Sequence, residues 1–236
     1  MAGEGRRFRE ANYTFPKPLI TIRNRPMIQW VVESINMPWA THLFICREPD
    51  ATNYRIPEMC AQVTPKSAVH VLSRPTEGAA CTVLEGLSTL ERTDEELLIA
   101  NSDQWLSWDV NRFWKVVWGM KAEGAIPVFQ SVHPKWSYAR LDGRSRVVEV
   151  AEKSPISRWA TCGLYYWKTV QQFITCAGQM MQDPLKRVNG EWYVAPVYNE
   201  LIAQGGHVMA YPDVTMYGLG TPEDLEEFKM YQLSRP

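Results

Sequence analysis

ELLIANSDQ, residues 96–104, is the stretch whose reading decides the fold. Its apolar run from Leu97 to Ala100 is too short for a helix and reads as a buried strand. It stops at a polar turn, Asn101-Ser102-Asp103-Gln104. Upstream, residues 79–90 carry helical apolar spacing, AVHVL (68–72) reads as a strand and residues 55–63 as a weak helix. THLFICR (41–47) is a further strand, and Pro26 opens a helix that aligns Met27, Trp30, Val31 and Ile35. Downstream, residues 110–123 align Val110, Phe113, Val117 and Met120 on a helix, and AIPVFQSV (125–132) returns to a strand. Strand alternating with helix predicts an α/β fold whose sheet is mostly parallel and covered on both faces.

The second half is more mixed. RVVEVAEK (146–153), ATCGLYYWK (160–168) and HVMAY (207–211) read as strands, residues 169–183 and 195–204 as helices. Pro222 opens a last amphipathic helix, expected to pack Leu225, Phe228 and the stretch from Met230 to Leu233 on the sheet. With no repeat, low-complexity tract or linker, residues 1–236 read as one domain. A sheet of this kind should begin with a strand feeding its first turn. The chain starts at that turn, so the expectation is an internal start at Met1, or a missing strand of about 5–8 apolar residues.

Composition narrows the function. The 236 residues are 45% hydrophobic and 22% charged, which suits a large core and excludes disorder. Lys plus Arg (25) against Asp plus Glu (26) gives −1, which excludes a dedicated duplex-DNA binder, and no nucleic-acid partner is expected. No apolar run approaches a bilayer span, and MAGEGRRFRE lacks the apolar region of a secretory signal; no membrane partner and a cytoplasmic location are expected. Cys46, Cys60, Cys81, Cys162 and Cys176 form no C-x-x-C pair and read as scattered reduced thiols. His42, His70, His133 and His207 have no partner at ligand spacing and read as structural. Trp30, Trp114 and Trp118 sit at helical spacing and read as core. Trp105, Trp136, Trp159 and Trp192 lie in polar turns, where a pocket wall, partly exposed packing and a contact within a homo-oligomer all stay open.

Several short stretches carry chemistry. In Ala2-Gly3-Glu4-Gly5-Arg6-Arg7, the Gly-x-Gly lets backbone N–H groups turn toward an anion, and the arginines add charge. Pro16-Lys17-Pro18 stiffens the backbone around one lysine. Asp103 follows a buried strand, where α/β sheets place ligands, and a carboxylate suits a hard cation such as Mg²⁺. Glu152-Lys153 ends an apolar strand; the lysine can neutralise a phosphate and the glutamate can accept hydrogen bonds.

Taken in order, these stretches resemble the nucleotidyltransferases that activate sugar phosphates. The resemblance runs through Gly3-x-Gly5-x-Arg7, Pro16-Lys17-Pro18, the Glu77-Gly78 turn, Asn101-Ser102-Asp103, Glu152-Lys153, Gly163 in its strand, and Gly220-Thr221-Pro222-Glu223-Asp224. It implies a Rossmann-like, GT-A-like three-layer sandwich, divided by role into a nucleotide-binding half (1–132) and an acceptor-binding half (133–236). It also implies a Mg²⁺-dependent enzyme that condenses an NTP with a sugar phosphate or other small phosphorylated acceptor and releases pyrophosphate. CTP or UTP/dTTP is favoured, and surface-polysaccharide biosynthesis is the implied setting.

By the same resemblance Arg7, Lys17, Asp103 and Lys153 are the catalytic residues, with Asp103 on the metal. Ala2, Gly3, Gly5, Arg7, Lys17, Glu77, Gly78 and Asn101 meet the nucleotide; Gln104, Glu152, Lys153, Gly163 and Tyr193 meet the acceptor. Three departures stand out: the absent first strand, Gly218 where relatives carry a second metal-binding Asp, and Ser73-Arg74 where they often read the base with Gln. Tyr193 stands where they place a sugar-binding Glu. Asp213 and Asp224 are the nearest other carboxylates; a turn and a helix dipole explain them, so Asp103 is expected to be the sole carboxylate ligand. A nucleotide-sugar glycosyltransferase and a non-catalytic nucleotide-binding module remain as alternatives; the first generally lacks the two early motifs, and the retained basic and acidic residues argue against the second.

Overall fold

A computed structural model describes residues 1–3 and 5–233. These residues form two compact units interleaved along the chain. One comprises Met1–Pro75, Asn101–Trp108 and Thr215–Pro236, the other Thr76–Ala100 and Asp109–Val214. The halves 1–132 and 133–236 are a division by role; these units are a division by packing.

In the first unit, His42–Arg47 and Ser67–Leu72 pair in parallel, His42 opposite Ser67 and Arg47 opposite Leu72. Helices Glu48–Tyr54 and Ile56–Val63 connect them, as a parallel pair requires a crossover. Met27–Ile35 is a helix entered from Pro26 and closed by Asn36 at φ 52. It buries the expected Met27, Trp30, Val31 and Ile35, and Ile28 besides. Trp30 meets Phe228 of the helix Pro222–Leu233 edge-on at 5.7 Å, and Trp105 lies 5.2 Å from the same ring. Trp105 is therefore core, on the strand Gln104–Trp108, and not in the polar turn expected for it. Along Pro222–Leu233, Leu225 and Phe228 are buried as expected, whereas Met230 and Leu233 are exposed.

The second unit holds a seven-stranded sheet. Leu164–Trp167 lies between Leu97–Ala100 and Gly124–Gln130, antiparallel to both. Trp159–Thr161 continues along Gly124–Gln130, and Ser137–Leu141 and Val147–Glu152 extend the sheet, each neighbour antiparallel. Val208–Tyr211 joins Gly124–Gln130 in parallel, the one parallel pair described in this sheet. The expected α/β alternation of elements is present, but the expectation of a mostly parallel sheet fails in this unit. Alternation in sequence says which elements exist; it does not say that Leu164–Trp167 inserts antiparallel between two earlier strands.

The predicted strand over 160–168 is two strands, Trp159–Thr161 and Leu164–Trp167, broken where Gly163 takes φ 67. Beneath them Trp167 and Tyr198 stack at 4.3 Å, both fully buried, and the Tyr198 hydroxyl donates to the Tyr166 carbonyl at 2.6 Å. Trp118 was expected in the core; it is 55% exposed and stacks on buried Trp114 at 5.3 Å. Met120, aligned with the same helix face in sequence, is exposed just beyond Val110–Gly119. All five cysteines are free, and every one except Cys81 is buried. No described helix is long and apolar enough to cross a membrane.

Candidate active site

Each unit carries its own group of the expected residues. In the first, Gly5 adopts φ 62 and opens the short helix Arg6–Glu10, its carbonyl accepting from the Phe8 and Arg9 N–H groups at 3.1 Å. The left-handed backbone is the reason for glycine here, since a Cβ would meet only Lys17 Cβ at 3.8 Å. At Gly3 a Cβ would touch nothing within 4 Å. Ala2 is half-buried and Arg7 exposed, while Phe8 between the arginines is buried. Glu4, inside the expected loop, lies outside the described residues.

Lys17 begins the 3-10 turn Lys17–Leu19, anchored by buried Pro18. Its ammonium donates to Asp103 Oδ2, and the two side chains are 21% and 28% exposed. Both side chains are mostly buried, so the cost of taking them out of water offsets much of their attraction and the pair is weak evidence for stability. What the pair does is fix a cation and an anion at one point. The Leu219 N–H donates to the Asp103 carbonyl at 2.7 Å, tying this point to the Gly220-Thr221 turn. A Cβ on Gly220 would lie 3.2 Å from Asp103 Oδ2, 3.8 Å from Lys17 Nζ and 3.9 Å from Asp224 Oδ2. Three charged ends thus converge around a residue that has no side chain.

Asp224 is the residue that sequence reasoning set aside. Its N–H donates to Thr221 Oγ1 at 3.1 Å, so Thr221 caps the helix in whose first turn Asp224 lies. Its carboxylate and that of Asp103 both come within 4 Å of the Cβ that Gly220 lacks, so the helix dipole is not its whole explanation. Asp213, by contrast, is engaged by Arg112 at 2.8 Å within the second unit. Asn101 is exposed and donates through Nδ2 to Gln104 Oε1 at 2.9 Å; Gln104 itself is buried on its strand. The donor set fits a hard cation: Asp103 and Asp224 offer carboxylate oxygens around Gly220, and the Lys17 ammonium already holds one of them.

In the second unit, Gly78 adopts φ 129, and a Cβ there would sit 2.5 Å from both N and O of Trp192. This glycine is required by close backbone approach. Trp192 N–H donates to the Glu77 carbonyl and Ala80 N–H to the Trp192 carbonyl, both at 2.9 Å. Exposed Glu77 pairs with Arg187, whose guanidinium lies 4.9 Å from the Trp192 ring. Trp192, expected in a polar turn, is buried.

Lys153 follows the strand Val147–Glu152 with φ 53, a conformation that costs a non-glycine residue about 1 kcal/mol or more. Its N–H donates to the Trp136 carbonyl at 3.0 Å and its ammonium to the Tyr193 hydroxyl. Glu152 lies opposite Ser137 across two strands and accepts from its hydroxyl. Burial pushes the Glu152 carboxyl up from its ordinary value, against the Ser137 hydrogen bond and the Lys153 charge, which lower it. Gly163 is buried between the strands it separates. Ser137 and Arg187 were missed: a lone serine and a loop arginine carry no signal until the pairings exist.

The described geometry thus places Lys17 with Asp103 and Asp224 in one unit, and Lys153 with Glu152, Tyr193 and the Glu77–Gly78 turn in the other. Solved structures share this fold. A nucleoside-diphosphate-sugar pyrophosphorylase from Vibrio cholerae RC9 is 25% identical over 98% of each chain, with a TM-score of 0.85. A UDP-glucose pyrophosphorylase, solved with UDP-glucose, is 16% identical over 100% of this chain and 97% of its own, with a TM-score of 0.77. No curated protein sequence matches the chain. The model of the nucleotidyl transferase family, however, matches residues 1–232, from the glycine turn to the last helix, and the chain belongs to that family.

Proposed function

We propose that the protein condenses an NTP with a small phosphorylated acceptor, such as a sugar phosphate, to give a nucleoside-diphosphate-linked product and pyrophosphate. The observation that carries the reading is the Lys17–Asp103 pair beside Gly220 and Asp224, in a chain of the nucleotidyl transferase family.

A phosphate oxygen of the acceptor attacks the α-phosphorus of the NTP. The bond to the bridging oxygen of the β-phosphate breaks, and pyrophosphate leaves with that electron pair. The attacking oxygen is already anionic, so no general base is required. The protein's task is to offset repulsion between anions and to hold them in register. Lys17 neutralises the triphosphate, and exposed Arg7 takes the departing phosphates. Gly5 brings the backbone of the first turn close to the nucleotide, as does Gly78 in the second. Lys153 holds the acceptor phosphate, while Glu152 and Tyr193 face the rest of that molecule. Asp103 and Asp224 would hold Mg²⁺, which when bound supplies charge neutralisation at the phosphates.

The test is pyrophosphate release with each of four NTPs against a panel of sugar 1-phosphates and phosphorylated amines, with pyrimidine nucleotides expected to lead. Release that needs both substrates supports the reading. No release from any pair would overturn it, and transfer from a ready-made nucleotide sugar would point to a glycosyltransferase.

A further inference from the structure

The segment Gly190–Tyr193 touches both the Glu77–Gly78 turn and Lys153, all within the second unit. On one side its Trp192 peptide is locked to the Glu77–Gly78 turn by the two 2.9 Å backbone hydrogen bonds. The turn has no slack there, because even a Cβ on Gly78 would overlap that peptide. Arg187 braces the same place, reaching the Glu77 carboxylate, the Gly190 carbonyl at 3.4 Å and the face of Trp192. On the other side, the next residue, Tyr193, accepts a hydrogen bond from the Lys153 ammonium, which also lies 4.5 Å from the centre of its ring. Lys153 is held independently by its left-handed backbone and its N–H bond to Trp136.

We propose that Tyr193 is a positioning residue for Lys153, and that the Trp192–Tyr193 segment couples occupancy of the Glu77–Gly78 turn by nucleotide to phosphate binding at Lys153. The proposal rests on the reading of that turn as nucleotide-facing and of Lys153 as acceptor-binding. A lysine side chain has four rotatable bonds, and a hydrogen bond plus a ring face removes much of that freedom before the phosphate arrives. Tyr193 does this without cancelling charge. A carboxylate in its place would pair with the ammonium and neutralise it, whereas a phenol leaves the positive charge for the ligand. Burial and the neighbouring Glu191 carboxylate, to which Tyr193 donates, push its phenol well above its ordinary value and keep it neutral. With little slack in the segment, a shift of the turn that accompanies nucleotide binding is passed on to Tyr193 and Lys153, and by linkage each ligand should tighten the other by the same factor.

The experiment titrates inorganic phosphate into the full chain, following the Lys153 ammonium by NMR, with and without α,β-methylene analogues of the four NTPs. In the wild type, a bound nucleotide analogue should tighten phosphate about fivefold or more. Tyr193→Phe keeps the ring and loses the hydroxyl; it should weaken phosphate alone about three- to tenfold and reduce the coupling. Its affinity for the nucleotide analogue alone should stay within about twofold. Arg187→Gln releases the brace at an exposed position. It should leave phosphate affinity alone unchanged and halve the coupling or more, which keeps the test open even if the Tyr193 variant fails to fold. Unchanged phosphate affinity in Tyr193→Phe, or full coupling in both variants, would overturn the proposal. Failure of every analogue to bind the wild type would instead remove the nucleotide reading, while the phosphate titration still reports on Tyr193 and Lys153.

Discussion

Asp103 carries the largest single expectation. Asp103→Asn keeps volume and hydrogen-bonding capacity but removes the charge that pairs with Lys17. Turnover should fall about 10²-fold or more, with the melting temperature within a few degrees of wild type. A steady-state assay at saturating Mg²⁺ checks this; near-normal rates would remove Asp103 from the metal. Asp224 and Asp213 then separate two views of the second carboxylate. Sequence alone made them equivalent, each explained without a metal. Packing distinguishes them, because Gly220 leaves Asp224 beside Asp103 while Asp213 is engaged by Arg112. Asp224→Asn should raise the Mg²⁺ concentration for half-maximal rate about tenfold, and Asp213→Asn should leave it within about twofold. Equal, small effects would restore Asp103 as sole carboxylate ligand.

At the scale of elements, what was legible in the sequence was what is locally determined. The helix Met27–Ile35 was readable from its apolar face and its opening proline, and Leu97–Ala100 from a short dense apolar run. Gln104–Trp108 was not, because its polar start reads as a turn until it pairs with Val214–Gly218. The helix Arg6–Glu10 was hidden for a similar reason: it is five residues with a single buried side chain, Phe8. Of the site, Lys17, Asp103 and Lys153 were legible through the order of motifs. Which of them pair was not, since Tyr193 lies 40 residues from Lys153 and the Lys17–Asp103 pair spans 86. Gly78 shows how a motif glycine acquires a cause. Its φ of 129 and the 2.5 Å approach to Trp192 both forbid a Cβ. Gly78→Ala should destabilise the protein by about 2–4 kcal/mol, read from urea denaturation. Gly3→Ala, with open space around it, should change stability by less than about 0.5 kcal/mol. Similar stabilities for both variants would show that the turn relaxes freely.

For the whole molecule, a formal net charge of −1 means that overall repulsion contributes little near neutrality. The pH dependence of stability must therefore come from particular groups, and two of them act with opposite sign. His42 is half-buried on its strand, stacked against Phe44 at 6.2 Å, and burial lowers its pKa from 6.5. The folded state therefore resists the proton that the unfolded chain accepts. Its contribution is complete above about pH 6.5 and declines as pH falls through that value toward the lowered folded one. Glu152 is raised from 4.5 by burial, so the folded state holds its proton more tightly than the unfolded chain does. Stability from this group is greatest at low pH and is lost as pH rises from about 4.5 through the raised folded value. Between about pH 5 and 7 the two slopes oppose each other. His42→Gln removes the limb that rises with pH, so relative to the wild type its stability should fall from pH 5 to 7. Glu152→Gln, which can still accept from Ser137, removes the falling limb, so relative to the wild type its stability should rise over the same interval. Urea titrations of the two variants at half-unit pH steps measure both slopes. If either slope fails to depart from that of the wild type in the stated direction, the side chain replaced in that variant is not held in the environment described.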